Sequence, residues 1–216
     1  MDIIYLGHSS FKIKGKSVSI VTDPFDPKMV GLRYPQQEAE IVTISHSHPD
    51  HNQINLVSNT KKVIDGPGEY EISGVSIIGL SSFHDNTKGE ERGKNTIYVF
   101  EMEGFRLAHL GDLGHMLSSE EISEIGDIDI LMIPVGGVYT IDATVASQLV
   151  SKIAPHVILP MHYRQESMAD SFSTLDPVQT FVSILGLTVV TLPKLVVRDP
   201  AAWSDDQQQI IILETK

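Results

Sequence analysis

Four apolar runs in this chain each hand over to a histidine or an aspartate, and that repetition constrains the fold more than any other feature. "EIVTIS", 40 to 45, runs into "HSHPDH"; "GVSIIGLSSF" runs into His84; "FRLAHLG" runs into Asp112; "VILPM" runs into His162. Short apolar runs of this kind are strands, and a buried strand delivers its end to the edge of its sheet. A fold that satisfies all four gathers imidazole and carboxylate groups at one edge.

The remaining segments fit around these four. "IIYLG" and "FKIKG" lead into "SVSIVTDP", and "KKVIDG" adds a further strand. "NTIYVFEMEGFRLAHLGD" predicts a hairpin turning at Glu103-Gly104. "DIDILMIPVGG" is continuously apolar, the pattern of a strand buried on both faces. A helix is predicted over 142–154, where Val145, Leu149 and Ile153 have helical spacing, Asp142 is placed to cap and Pro155 stops the run. A second is predicted over 176–186, capped by Asp176, with Pro177 at the first helical position and Gly186 at the end. "HVILPMH" and "LTVVTL" follow these helices as strands, and "QQIIILET" comes last. Early strands joined by short loops thus give way to alternating strand and helix. That order predicts an α/β fold, two sheets with helices packed outside them. No linker rich in Pro, Gly or Ser divides the 216 residues, so a single domain over 1–216 is expected.

Composition narrows the chemistry. The chain has no cysteine, so any metal is held by nitrogen and oxygen. A net charge of −12 repels phosphate backbones, and no nucleic-acid partner is expected. No apolar run is long enough to span a bilayer, and "MDIIYLGHSS" lacks the basic start and long apolar region of a signal peptide. A cytoplasmic protein with no membrane partner is the expectation. "KGEERGK", 88 to 94, mixes charge signs and reads as a solvated loop.

The cluster at 46–51 carries the strongest signal. His46 and His48 are two apart, so on an extended backbone they point to the same side and converge on one ion. Pro49 suits the start of a helix, which would turn Asp50 and His51 in another direction, where a second ion could sit. Imidazoles with a carboxylate suit zinc, and also iron or manganese. Further ligands must come from elsewhere, and His84, Asp112 and His162 at the other strand ends are the candidates.

"HSHPDH", then His84, Asp112 and His162, resembles the metallo-β-lactamase superfamily. "GHSSFKI", "VTDP", "HLGDLGH", "IPVGG" and "PMHY" are similar to the branch that includes L-ascorbate-6-phosphate lactonase, over Tyr5 to about Tyr163. The resemblance implies an αββα sandwich, two mixed sheets flanked by helices, with the site on one edge. It implies that His46, His48 and His84 hold one divalent ion, that Asp50, His51 and His162 hold a second, and that Asp112 bridges them. Two ions are expected, zinc first, with manganese or iron admissible. Superfamily members with redox chemistry at two irons usually carry Glu where His48 stands, so hydrolysis is favoured. Two dications roughly 3.5–4 Å apart can share a water and lower its pKa toward ~7. Asp50, orienting the resulting hydroxide, and Asp112, bridging the ions, are then the catalytic carboxylates. The expected function is metal-dependent hydrolysis of an ester-type bond in a small-molecule substrate, a lactone or phosphoester. The alternative is a non-catalytic metal-binding or sensor protein on the same fold.

Several residues nearby take supporting places. Asp23 in "TDP" is placed to hydrogen-bond a ligand histidine, and His109 and His115 are expected to support rather than ligate. His8 in "GHSS" ends the first strand, with a supporting or substrate-facing role. Tyr163 and Arg164 follow His162 on what reads as an exposed loop.

Overall fold

The computed structural model describes residues 1–200, 203 and 207–215. In chain order its strands are β1 (Asp2–Gly7), β2 (Ser10–Lys14), β3 (Ser19–Thr22), β4 (Gln37–Glu38), β5 (Ile41–Thr43), β6 (Val57–Ser58), β7 (Lys62–Ile64), β8 (Gly68–Ile72), β9 (Val75–Phe83), β10 (Lys94–Met102), β11 (Phe105–His109), β12 (Ile130–Pro134), β13 (Val157–Met161), β14 (Thr188–Leu192), β15 (Leu195–Val196) and β16 (Gln209–Leu213). The helices are α1 (Pro27–Val30), α2 (Ser119–Ile125), α3 (Ala143–Ile153) and α4 (Val178–Leu185). Among the described residues the strands make a six-stranded sheet, order β15-β1-β2-β3-β5-β7, an eight-stranded sheet, order β14-β16-β13-β12-β11-β10-β9-β8, and the small pair β4-β6.

Both large sheets are mixed, and the fold is the α/β arrangement expected. Alternation decides which face of the smaller sheet looks inward. Ile3, Tyr5, Ile13, Ile20 and Ile41 pack into the core shared with the larger sheet. Their neighbours Ile4, Leu6, Val21 and Val42 point to the opposite face, onto Phe25, Val30 and Phe172. That outer face is covered by one-turn α1 and a 3-10 turn at Asp170–Phe172 instead of full helices. The larger sheet has its outer cover in α3 and α4, whose Leu149, Val150, Ile153 and Phe181 join the main core. β12 and β13 are buried at every position, as their unbroken apolar sequences require.

Local signals place the elements with a few exceptions. β10 and β11 turn at Glu103 and Gly104, with φ of 53° and 84°, the doubly left-handed turn whose twist matches a tight hairpin. The Asp142 carboxylate accepts from the Val145 N–H at 2.8 Å and caps α3. Asp176 does not cap α4: Pro177 occupies the cap position and no side chain bonds the first turn. α2 was not foreseen, although Ser118 and Glu121 form a reciprocal capping box at its start. No helix forms after Pro49. A turn closed by the His51 N–H on the His48 carbonyl, 2.9 Å, redirects the chain instead.

Strand direction sets where the chemistry falls. β1, β3 and β5 run the same way, because β2 is antiparallel to both β1 and β3, and β5 is parallel to β3. β9, β11 and β13 likewise share a direction. The carboxyl ends of these strands deliver His8, Asp23 and the 46–51 segment from one sheet, and His84, Asp112 and His162 from the other. Buried Tyr98 ties the sheets together beside this edge: its hydroxyl donates to the Ile44 and Ile64 carbonyls at 2.9 and 3.1 Å.

Candidate metal centre

Asp112 sits at the middle of the edge. Its Oδ2 lies 3.2 Å from His51 Nε2, 3.3 Å from His162 Nε2, 3.4 Å from His84 Nε2 and 4.0 Å from His46 Nε2. Two atoms bound to one tetrahedral zinc at ~2.0–2.1 Å stand about 3.4 Å apart, so the three shorter spacings are those of neighbouring ligands. His46, His48 and His84 form one group of converging donors, and Asp50, His51 and His162 fall in another, which also contains His8. The seven residues named from the sequence all lie at this edge, and a third group, His46, His51 and Asp112, runs across the two sets.

The hydrogen bonds behind the histidines fix which nitrogen faces inward. The Asp23 carboxylate can only accept. It accepts from the Ser45 N–H at 2.7 Å and the Ser45 hydroxyl at 2.6 Å. With its proton committed there, Ser45 Oγ accepts from His46 Nδ1 at 2.9 Å. His51 Nδ1 donates at 3.0 Å to Asp23 Oδ2, the oxygen that also takes the Ser45 hydroxyl, while Oδ1 takes the Ser45 N–H. Both imidazoles thus turn Nε2 toward the centre. Those two Nε2 atoms are buried and have no hydrogen-bond partner in the protein. Buried polar atoms are rarely left so, and a cation satisfies them. The donor set fits a divalent metal.

Electrostatics set the two histidines apart. Burial works against a charged Asp112, but His162 and His51 beside it outweigh that and hold its carboxyl well below the usual range. Burial likewise opposes a charged His51, and Asp112, Asp23 and Asp50 overcome it, raising its pKa well above the ordinary imidazole value, so a metal at Nε2 would displace a proton there. For His46 burial wins, with His51 adding to it, and its pKa falls to about 3, the neutral form a ligand needs.

Two glycines let the segments that carry the candidate ligands approach other backbone. A Cβ on Gly114 would stand 2.3 Å from the Asp85 nitrogen and the His84 carbonyl carbon, and one on Gly136 would stand 2.1 Å from the His162 carbonyl oxygen. Asn95 steadies the third segment, accepting from the Asp112 N–H at 3.0 Å while its own amide donates to the Leu110 carbonyl at 2.9 Å.

The supporting residues divide. Asp23 bonds His51, one of the candidate ligands. His109 is fully buried and bonds the Ser9 carbonyl at 2.8 Å, away from the donor groups. His115 Nε2 accepts from the Phe83 N–H at 3.3 Å, behind the strand that carries His84. His8 is fully buried, lies 3.2 Å from Asp50 Oδ2 through Nε2, and packs its ring 4.3 Å from that of His162. Tyr163 departs from the expected loop: it is buried and stacks on Tyr5, while Arg164 is exposed and lines a different hollow.

The donors open into a cleft of about 310 Å³ lined by Met29, Arg92, Tyr139, Ser171 and Phe172 above His48, Asp50, His84, Asp112 and His162. None of the first five was singled out from the sequence. Arg92 lies in the segment read as a solvated loop; the signal that could have placed it is Asp85, whose short carboxylate is suited to closing turns on following N–H groups.

The comparisons with known proteins agree with the geometry. A UPF0173 metal-dependent hydrolase from Thermococcus onnurineus is 28% identical over 190 residues, covering 76% of this chain and 84% of the relative. A UPF0173 protein from Pyrococcus abyssi is 32% identical over 182 residues, covering 76% and 83%. The crystal structure of a metallo-β-lactamase superfamily protein from Thermotoga maritima matches with a TM-score of 0.81 at 36% identity, over 100% of this chain and 99% of that one. Residues 2–162 match the beta-lactamase superfamily domain. Sequence, strand order and donor placement all lead to one assignment: the chain belongs to the metallo-β-lactamase superfamily.

Proposed function

We propose that the protein is a metal-dependent hydrolase that cleaves an ester-type bond, in a lactone or phosphoester, of a small molecule. The observation that carries this reading is the Asp112 carboxylate ringed by four imidazole nitrogens at 3.2–4.0 Å, beneath an open cleft. A purely structural metal site is closed by its ligands, whereas a catalytic one keeps an open position. Relatives described as metal-dependent hydrolases support the reading.

His46, His48 and His84 would hold one ion, Asp50, His51 and His162 the other, and Asp112 would bridge them. Zinc suits this nitrogen-rich set best, with manganese or iron also compatible. The bound ions would supply an activated water and neutralise charge developing on the attacked group. Asp23 keeps His46 and His51 aimed inward, and His8 holds the Asp50 carboxylate in place. Asp50 lies at the cleft floor, where its free oxygen can orient the attacking water. In the reaction the water oxygen joins the carbonyl carbon or phosphorus, the ester C–O or P–O bond breaks, and the leaving oxygen takes the water's proton.

The test is elemental analysis of the purified protein, followed by a panel of lactones, carboxylic esters, phosphomonoesters and phosphodiesters with zinc, manganese or iron restored. The reading requires bound metal and metal-dependent turnover of at least one class. Bound metal with no turnover across the panel would favour the non-catalytic alternative.

A further inference from the structure

We propose that the substrate carries an anionic group, a carboxylate or phosphate, apart from the bond that is cleaved, and that Arg92 binds it. The inference rests on the hydrolase reading for the reaction, while its own basis is the construction of the cleft wall around Arg92.

Among the described residues lining this cleft, Arg92 is the one with an arginine or lysine side chain. The loop that delivers it is built for the purpose. Asp85, directly after His84, is buried and takes five hydrogen bonds from its own loop: from the Thr87 N–H and hydroxyl at 2.9 Å each, and from the N–H groups of Gly89, Glu91 and Arg92 at 2.7, 3.0 and 2.8 Å. The loop is also closed at its base, where the His84 N–H donates to the Gly93 carbonyl at 3.0 Å. Arg92 is thereby fixed to the same short segment as a metal-ligand candidate.

Its side chain is placed as well. The guanidinium carbon lies 5.9 Å from the centre of the Tyr139 ring, and the Tyr139 hydroxyl is anchored on the Ser171 carbonyl at 2.8 Å. Stacking on an aromatic face leaves the edge of the guanidinium free to donate. One Nη1 contact, 3.5 Å to Glu91, is on the exposed side, where pairing is weak. Arginine has five N–H donors, so donors remain for a ligand.

Beside Tyr139 and Ser171, the wall is apolar, from Met29, Pro49 and Phe172. A small ligand with an anionic end toward Arg92, an apolar middle and a scissile bond over the donors matches each part. The protein's net charge of −12 would otherwise disfavour any anion, so a fixed cation at this one place gives selectivity that the overall field does not.

The experiment compares metal-loaded wild type with Arg92→Ala, Arg92→Lys and, as a control cation exposed in the same loop, Lys88→Ala. Substrates are the 4-nitrophenyl esters of valerate, neutral at the far end, of glutarate, a carboxylate there, and of 4-phosphonobutanoate, a phosphonate there. Wild type should prefer an anionic ester, and Arg92→Ala should lower the anionic-to-neutral ratio of kcat/KM about ten- to hundredfold, mainly through KM, as loss of a charged hydrogen bond does. Arg92→Lys should retain part of the preference and Lys88→Ala all of it. The glutarate and phosphonobutanoate arms decide which headgroup fits. Calorimetric binding of valeramide, which is neutral, and of glutaramate and 4-phosphonobutanamide, which carry one anionic end each, to the same proteins gives a readout without turnover. Hydrolysis with a ratio unmoved by Arg92→Ala would overturn the anion site and leave the hydrolase standing. No hydrolysis, with anion binding that depends on Arg92, would overturn the hydrolase and leave the anion site standing. Absence of both overturns both.

Discussion

Replacing Gly136 by alanine puts a methyl group against the backbone that carries His162. The new Cβ would lie 2.1 Å from the His162 carbonyl oxygen and 3.1 Å from the carbonyl carbon and the Tyr163 Cα. Backbone atoms have no rotamer to escape into. The closest contact must open from 2.1 Å to at least 3.0 Å, so the two segments must part by about 0.9 Å. Displacement of an active-site group by ~1 Å can cost about 10²-fold in rate, and the overpacking itself costs roughly 1–3 kcal/mol of stability. Gly137→Ala separates these effects. Gly137 has φ of 64°, but a Cβ there meets nothing closer than 3.6 Å. That substitution costs a comparable ~1–2 kcal/mol through left-handed backbone without pushing His162. Thermal unfolding of both variants, metal retained after a chelator challenge, and kcat/KM on the best substrate of the panel are the measurements. Both should melt lower than wild type, and only Gly136→Ala should lose metal and about 10²-fold in rate. Wild-type metal retention and rate in Gly136→Ala, or equal losses in the two variants, would refute the argument that this glycine positions His162.

Three other outcomes are expected. His84→Ala should lose metal outright under chelator challenge, while His109→Ala, which removes a bond to the Ser9 carbonyl, should keep most of its metal and lose about 10–100-fold in rate; the reverse order would exchange their roles. Asp23→Ala frees both His51 Nδ1 and Ser45, so metal affinity should fall by about 10–100-fold with the fold intact; unchanged affinity would show that the two histidines need no such support. Glu103 is held below the ordinary carboxylate range, because the Lys16 N–H and the N-terminal ammonium outweigh partial burial. A depressed folded pKa stabilises above the unfolded value and loses that contribution as pH falls through the folded one, from about pH 4 downward. Glu103→Gln should therefore flatten the decline in urea stability there by less than about 1 kcal/mol, given its exposure; a steeper decline in the variant would reverse the sign.

Much of the fold was legible because its signals are local. Glu103-Gly104 supplies two left-handed residues at a hairpin, and Asp142 caps α3, each within a few positions of the groups it serves. α2 was missed although its capping box was present, since "SSEEISEI" is only seven helical residues long with little apolar periodicity. The seven donors were legible for a related reason: each stands at or just beyond the end of an apolar run, so one-dimensional pattern and strand direction together place them at a sheet edge. Pro49 misled because a proline that suits a helix start also suits a turn, and the His48 carbonyl took the His51 N–H first.

Which donors are present, the absence of thiolates among them and their place at strand ends all follow from the order of residues alone. Tertiary structure decided what those donors face. The pairing of Asp23 with Ser45 and His51, which selects the inward nitrogen of two imidazoles, joins residues 22 and 28 positions apart. His109 reaches Ser9 across 100 positions, and His8 reaches Asp50 across 42. Arg92 looks like any solvated charge until Asp85 folds its loop back and Tyr139, from beyond β12, offers a ring to it. Hydrogen-bond direction and ring stacking depend on separations of a few ångströms between segments remote along the chain, and periodicity, which reports only which face of an element is apolar, carries no information about them.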